Sequence, residues 1–154
     1  MSCGSQLWEA ALAVQAILAC NLAEECGSTL MKAHEYIKSS QILENPSGDF
    51  SEKFRHMSKG GWAFQVADYG WPISDCTAEA LKAILLSSNI SPNIVDEKLA
   101  TDRIYEAVNF ILSLQEVTGC FMKTGTLYYA TYRNIFPIWA LGEYRKQVFN
   151  PKRS

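Results

Sequence analysis

Residues 42 to 74 carry Pro46, Gly48, Gly60, Gly61, Gly70 and Pro72 and divide this chain into two helical stretches. Proline and glycine both weaken the interior of a helix or a strand, so this segment reads as one long irregular connection. A connection that long in a compact domain is functional or marks a place where packing partners belong. Before it, Leu7 to Leu22 is rich in Ala and Leu, and Gly27 is expected to end the stretch after Leu22. Ser28 reads as the cap of a second helix reaching about Gln41, with Leu30, Ala33, Tyr36 and Ile37 at helical spacing. After the connection, helix is expected from Thr77 to about Ser87. Ser91-Pro92 opens a short segment, and Thr101 or Asp102 starts a helix through Gln115. A last helix falls within Tyr129 to Val148, bent or restarted at Pro137. No stretch alternates as a strand does. The expected fold class is all-α.

The connection runs into the next helix through Ser74-Asp75-Cys76-Thr77-Ala78-Glu79. An acid thus stands at a helix start beside a thiol, after a loop holding Trp62, Phe64 and Trp71. Burial without a cation raises a carboxyl pKa and makes Asp75 a proton donor. The plainer reading makes Asp75 an N-cap and leaves Glu79 in an exposed first turn. Both stand on the residues alone.

At 154 residues there is room for one domain, and 48% hydrophobic with 19% charged residues is a globular composition. A net charge of −2 gives no support for nucleic-acid binding. Cys3, Cys20, Cys26, Cys76 and Cys120 are odd in number and irregular in spacing, so reduced thiols in a cytosol-facing protein are expected, with no disulfide framework and no metal site. His34 reads as solvated between Lys32 and Glu35, and His56 as a loop residue. Ala10 to Leu22 reads as a buried core helix, and no apolar run spans a bilayer. Met1-Ser-Cys-Gly-Ser-Gln does not begin like a signal peptide. Lys146, Lys152 and Arg153 form a basic tail that reads as solvated. Tyr128, Tyr129 and Tyr132 read as packing residues. No phosphate-cradling glycine loop occurs.

A weak repeat is present. Residues 33 to 41 echo residues 107 to 115, each after an Ala/Leu-rich helix. The unit is a helix pair, and such pairs stack into toroids or solenoids. Each unit ends on Gln, with Gly and Phe later: Gln41, Gly48, Phe50 and Gln115, Gly119, Phe121. A Gln amide there can satisfy backbone groups at a helix end.

The words Lys59-Gly60-Gly61-Trp62-Ala63-Phe64, Asp68-Tyr69-Gly70-Trp71 and Ser74 to Lys82 closely resemble the oxidosqualene cyclases, the triterpene and sterol synthases, most of all their plant branch. Gly4-Ser5-Gln6-Leu7-Trp8, Asn45-Pro46-Ser47-Gly48-Asp49-Phe50 and Tyr132-Arg133-Asn134-Ile135-Phe136-Pro137-Ile138-Trp139-Ala140-Leu141 resemble the same family. The resemblance implies a partial α/α barrel, or toroid, of helix pairs, and the Gln repeat is similar to the family's Gln/Trp repeat with Phe in place of Trp. It implies a substrate, 2,3-oxidosqualene, whose epoxide is protonated by Asp75, with Cys76 as an assisting thiol and no cofactor. Trp8, Phe64 and Phe121, then Leu127 and Tyr129, are implied to line the substrate cavity; without the resemblance the aromatics read as ordinary core. Tyr69 stands where plant cyclases commonly have His. The Asp-Asp-rich metal motif of diphosphate-using terpene synthases does not occur.

Residues 1–115 resemble one central stretch of a cyclase, and residues 116–154 its extreme C-terminus. The chain therefore reads as a fragment with an internal deletion, lacking the family's second acid-assisting cysteine. The competing expectation is a non-catalytic helical remnant that binds apolar lipid or associates with a full-length cyclase. Exposed apolar surface, self-association and peripheral membrane association are expected, at the endoplasmic reticulum membrane or lipid droplet surface that the family implies.

Overall fold

The computed structural model describes residues 5–48, 57–64, 72–114 and 130–149. Among the described residues, five α-helices occur in order: α1 (Gln6–Ala19), α2 (Gly27–Ser39), α3 (Ser74–Ser87), α4 (Thr101–Ser113) and α5 (Ala130–Tyr144). A wide π-type turn, Arg145–Phe149, continues α5. Among the described residues there is no strand, only an isolated antiparallel bridge between Ala63 and Pro72. The fold is all-α.

The third helix is the centre of the packing. It contacts α1, α2, α4 and α5. Its buried residues run round the helix: Leu81, Ile84 and Leu85 with Ala78, Ala80 and Ala83, but also Asp75, Thr77, Glu79 and Ser87. A helix covered on every side must satisfy its polar groups inside the protein. The outer helices each present one apolar face to it. For α1 that face is Leu7, Ala11 and Val14, while Leu12 is exposed. The helix expected over Ala10–Leu22 as a buried core helix is therefore buried on one face and amphipathic. For α4 the face is Ile104, Ala107, Val108, Phe110 and Ile111.

Helix ends differ from the sequence reading for local reasons. The first helix stops at Ala19, short of Leu22. Asn21 takes a positive φ of 57°. Its N–H donates to Leu18 O (3.1 Å), and the Leu22 N–H donates to Ile17 O (3.1 Å). This is the Schellman arrangement, in which a left-handed residue closes the last turn; Asn is one of the few residues that adopts it at low cost. Gly27 begins α2, where it was expected to end the stretch before it; Cys26, not Ser28, is the capping residue. The third helix starts at Ser74, three residues before the expected Thr77, with Ile73 at the cap position. The last helix runs through Pro137 without restarting.

His34 is buried, contrary to the solvated reading. Its Nδ1 lies 2.8 Å from Ser87 Oγ, so it joins α2 to α3. Burial pushes its pKa below the usual histidine value, partly offset by the backbone of Glu97. Gln41 behaves as the repeat suggested. Its Nε2 donates to Gly60 O and Arg103 O, both at 3.0 Å, and its Oε1 accepts from Arg103 Nε at 2.8 Å. Arg103 Nη2 in turn donates to Lys38 O near the end of α2 (2.6 Å). One amide thus ties the end of α2, the start of α4 and the glycine loop together. Phe50, Gln115, Gly119 and Phe121, the rest of the repeat, lie outside the described residues.

Candidate active site

The loop leading to the acid is fixed by backbone pairing and one tryptophan. Gly60 N–H donates to Ile42 O (2.8 Å), and Ile42 N–H donates to Gly61 O (3.0 Å). Asn45 Oδ1 accepts from the N–H groups of Ser58 and Lys59 at 2.8 and 2.9 Å. The Trp62 indole is fully buried, and its Nε1 donates to Ile37 O at 2.7 Å. The Trp62 N–H donates to Thr77 Oγ1 (2.9 Å), and the Ile73 N–H to Trp62 O (3.4 Å). Thr77, in the first turn of α3, therefore locks the loop onto the helix that carries Asp75.

Asp75 is 4% exposed. It is not an N-cap: it sits in the first turn, and its Oδ1 accepts from the Cys76 N–H at 2.8 Å. Burial raises its pKa from 3.8 to about 6, against the lowering effect of backbone hydrogen bonds and of the Cys76 thiol; the nearby Glu79 raises it further. Cys76 is buried too, and burial and the Asp75 charge push its thiol far up, so it remains S–H and can donate. The pair is a carboxyl protonated more readily than usual and a thiol that does not ionise.

This gives a prediction with a definite sign. A carboxyl whose folded pKa lies above its unfolded value stabilises the fold fully below the unfolded value and loses that stabilisation as pH rises through the folded one. The window here runs from 3.8 to about 6. Asp75→Asn, which stays neutral, is expected to be more stable than the parent at pH 8 by about 3 kcal/mol, and equal to it near pH 3.5. Urea midpoints at the two pH values decide it. An equal gain or no gain at both would show that burial does not raise the Asp75 pKa.

Glu79 is the second departure from the plain reading. It is 1% exposed, not solvated. Gln15 Nε2 from α1 donates to its Oε2 at 2.5 Å, and Lys82 Nζ lies 3.6 Å from its Oε1. The Lys82 ammonium also stands 3.9 Å above the Trp139 ring centroid, reaching α5.

The aromatic residues are brought together in part. The rings of Trp8 and Phe64 have centroids 6.3 Å apart, and Phe136 from α5 lies nearly perpendicular to Trp8 with its centroid 5.5 Å away. Phe136 was not read as a site residue. Its signal was its place in the word Asn134-Ile135-Phe136-Pro137, which pointed to the family and not to a site. Phe121, Leu127 and Tyr129 lie outside the described residues, as do Tyr69, Tyr128, His56, Cys3, Cys120, Lys152 and Arg153. Lys146 is exposed and 3.5 Å from Glu143 Oε1. Among the described residues, no three His, Cys, Asp or Glu side chains are grouped to hold a metal ion.

Residues 4–126 match the squalene-hopene cyclase C-terminal domain. The chain belongs to that family. It is 48% identical over 118 residues to alpha-onocerin synthase of Lycopodium clavatum, covering 77% of this chain and 15% of that protein. It is 39% identical over 150 residues to lanosterol synthase of Mus musculus, covering 96% of this chain and 18% of that one. Against cycloartenol synthase of Dictyostelium discoideum it is 40% identical over 116 residues, 75% of this chain and 16% of that protein. The chain thus spans less than a fifth of the length of these relatives. Within the cyclase family match lie Trp8, Phe64, Asp75, Cys76, Glu79 and Lys82, all described, while Trp139 and Phe136 lie beyond it.

Proposed function

We propose that this chain carries the acid-bearing part of a triterpene synthase that cyclises 2,3-oxidosqualene, and that by itself it does not complete the reaction. The observation that carries the reading is Asp75: a carboxyl 4% exposed, its pKa raised to about 6, with a thiol beside it. In the proposed step the Asp75 proton passes to the epoxide oxygen, a C–O bond breaks, and the electron pair of a neighbouring alkene forms the first ring bond. Asp75 is left as the carboxylate, and no cofactor enters. Aromatic faces stabilise the travelling cation by about 2 kcal/mol or more where water is excluded, without adding to it. Trp8 and Phe64 are assigned that role, with Phe121 from the family resemblance; Leu127 and Tyr129 are assigned by the same resemblance to the cavity lining.

The family's α/α toroid is proposed as the parent architecture, with 1–115 as a central stretch and 116–154 as a C-terminal stretch. A cation of this kind needs a closed, dry cavity. The second reading, a helical remnant that self-associates or joins a full-length cyclase, is favoured by the outer face of α5. Ile138 and Trp139 follow Ile135 by one helical turn there, and the three are 68%, 59% and 50% exposed. Such a face also suits peripheral contact with the endoplasmic reticulum membrane or a lipid droplet; among the described residues no helix is long and apolar enough to cross a membrane.

The test uses a chimera. Residues 6–114 of this chain replace the matching stretch of a lanosterol synthase, and cyclised products are extracted and detected by mass. The chimera is expected to make product, and Asp75→Asn in it to lose on the order of 10³-fold. The chain alone is expected to give nothing above its own Asp75→Asn blank. Product from the chain alone would overturn the remnant reading; a chimera indifferent to Asp75→Asn would overturn the acid.

A further inference from the structure

We propose that Phe136 is a positioning residue that fixes the plane of the Trp8 indole, and so sets how strongly this aromatic surface attracts a cation. The proposal rests on the cyclase reading of Trp8 and Phe64 and adds a residue from a different helix to that site.

Trp8 has a ring on each of two neighbouring elements. Phe64, from the glycine loop, lies 6.3 Å away at 42°, a loose tilted contact. Phe136, from α5, lies closer at 5.5 Å and nearly perpendicular at 82°. The perpendicular arrangement is one of the two that ring quadrupoles favour, the edge of one ring toward the face of the other, and a 42° tilt is neither of them. Of the two contacts, the Phe136 contact therefore holds the indole more firmly. Orientation matters because a cation is attracted by a ring face and not by its edge, and only within about 6 Å of the centroid. An indole free to turn about its side-chain bonds presents its face part of the time; one held at right angles to a neighbour presents it continuously.

The surroundings suit a fixed support. Phe136 is half-buried and packs against the core, and the next residue, Pro137, is buried within α5. The fifth helix packs on α3, which carries Asp75. Trp8 and Phe64 are also only half-buried, so the three rings keep open surface. A purely structural phenylalanine would contribute stability and leave ligand preference alone; a ring that orients Trp8 changes preference for a positive charge.

The experiment measures binding of dodecyltrimethylammonium and of dodecanol, both far below micelle formation, by quenching of tryptophan fluorescence in the full chain. The chain's own net charge attracts any cation, but that contribution cancels between variants of equal charge. The parent is expected to favour the ammonium. In Phe136→Leu the ammonium-to-alcohol affinity ratio is expected to fall on the order of fivefold, with dodecanol binding nearly unchanged; Phe136→Tyr is expected to keep the parental ratio. Phe136→Met replaces the leucine variant if that one loses its cooperative melt. A parental ratio in the folded leucine or methionine variant, while Trp8→Leu lowers it, would overturn the role of Phe136 and leave the site reading intact. A parent with no preference for the ammonium would overturn both.

Discussion

Lys82→Met is expected to destabilise the folded chain by about 3 kcal/mol, more than any surface lysine would. Lys82 is one turn after Glu79, and its ammonium lies 3.6 Å from a carboxyl that is 1% exposed. Methionine keeps most of the apolar stem, so the packing of α3 on α5 is largely preserved. What is lost is the charge. The Glu79 carboxyl then has Gln15 from α1 as its remaining hydrogen-bond donor, at 2.5 Å. Removing one partner of a buried pair costs about 3–5 kcal/mol because the other is left desolvated and unpaired. The contact is looser than an ideal ion pair and Lys82 is partly exposed, which places the effect at the low end. Of this loss, about 0.5–1 kcal/mol comes from the ammonium above Trp139. Adding Glu79→Gln to Lys82→Met should restore most of the stability, since a neutral amide needs no counter-charge. Urea denaturation of the two single variants and the double completes the cycle. If Lys82→Met costs under 1 kcal/mol, or the double variant is no better than the single, Glu79 is not held by this clamp.

The misreading of Glu79 shows where the sequence stops being informative. Its donor Gln15 is 64 residues away along the chain, and the partner of His34, Ser87, is 53 residues away. His34 lies between Lys32 and Glu35, and Glu79 follows a helix start; either setting reads as solvated. Burial was decided by α3 being covered on all sides, which no local pattern records. The burial of Asp75 had a local signal, an acid at the joint of an aromatic loop and an apolar helix, beside the plainer N-cap reading that the same residues allowed. The exact place of Asp75 in the first turn was not legible, since Ile73 caps the helix without a side-chain hydrogen bond. The helix order was legible from apolar spacing and from the glycines and prolines between helices. The end of α1 was not, because a left-handed Asn21 closes it where the pattern would have run on to Leu22. Gln41 was readable as a tie between helix ends, but its use of Arg103 and Gly60 depends on α4 folding back beside α2.

Gly60→Ala is expected to have an effect of similar or larger size and to act on the site itself. Gly60 has φ 87°, in the region where a side chain costs about 1–2 kcal/mol from its own backbone alone. There is also no room. A Cβ at this position would fall on the Glu106 carbonyl and come within 2.9 Å of Ala107 N, both backbone atoms of α4. Backbone inside a helix cannot give way as a flexible side chain can. The loop must therefore lift from α4, and the bonds that hold it are those that place the site: Gly60 N–H to Ile42 O, and Gln41 Nε2 to Gly60 O. Strain and lost hydrogen bonds together put the cost at about 4 kcal/mol, well outside the ordinary range for a single methyl group. Lifting the loop also moves Phe64 relative to Trp8 and loosens Trp62 from Ile37 and Thr77. Gly48, with φ 82° but open space around it, is the control. Gly48→Ala meets the backbone penalty without the collision and should cost about 1–2 kcal/mol. Equal losses for the two alanine variants would mean that the close approach of the loop to α4 does not hold in solution. A larger loss for Gly60→Ala, with a changed tryptophan emission seen in that variant alone, would place the junction of loop and α4 as the support on which Phe64 and Trp62 are mounted.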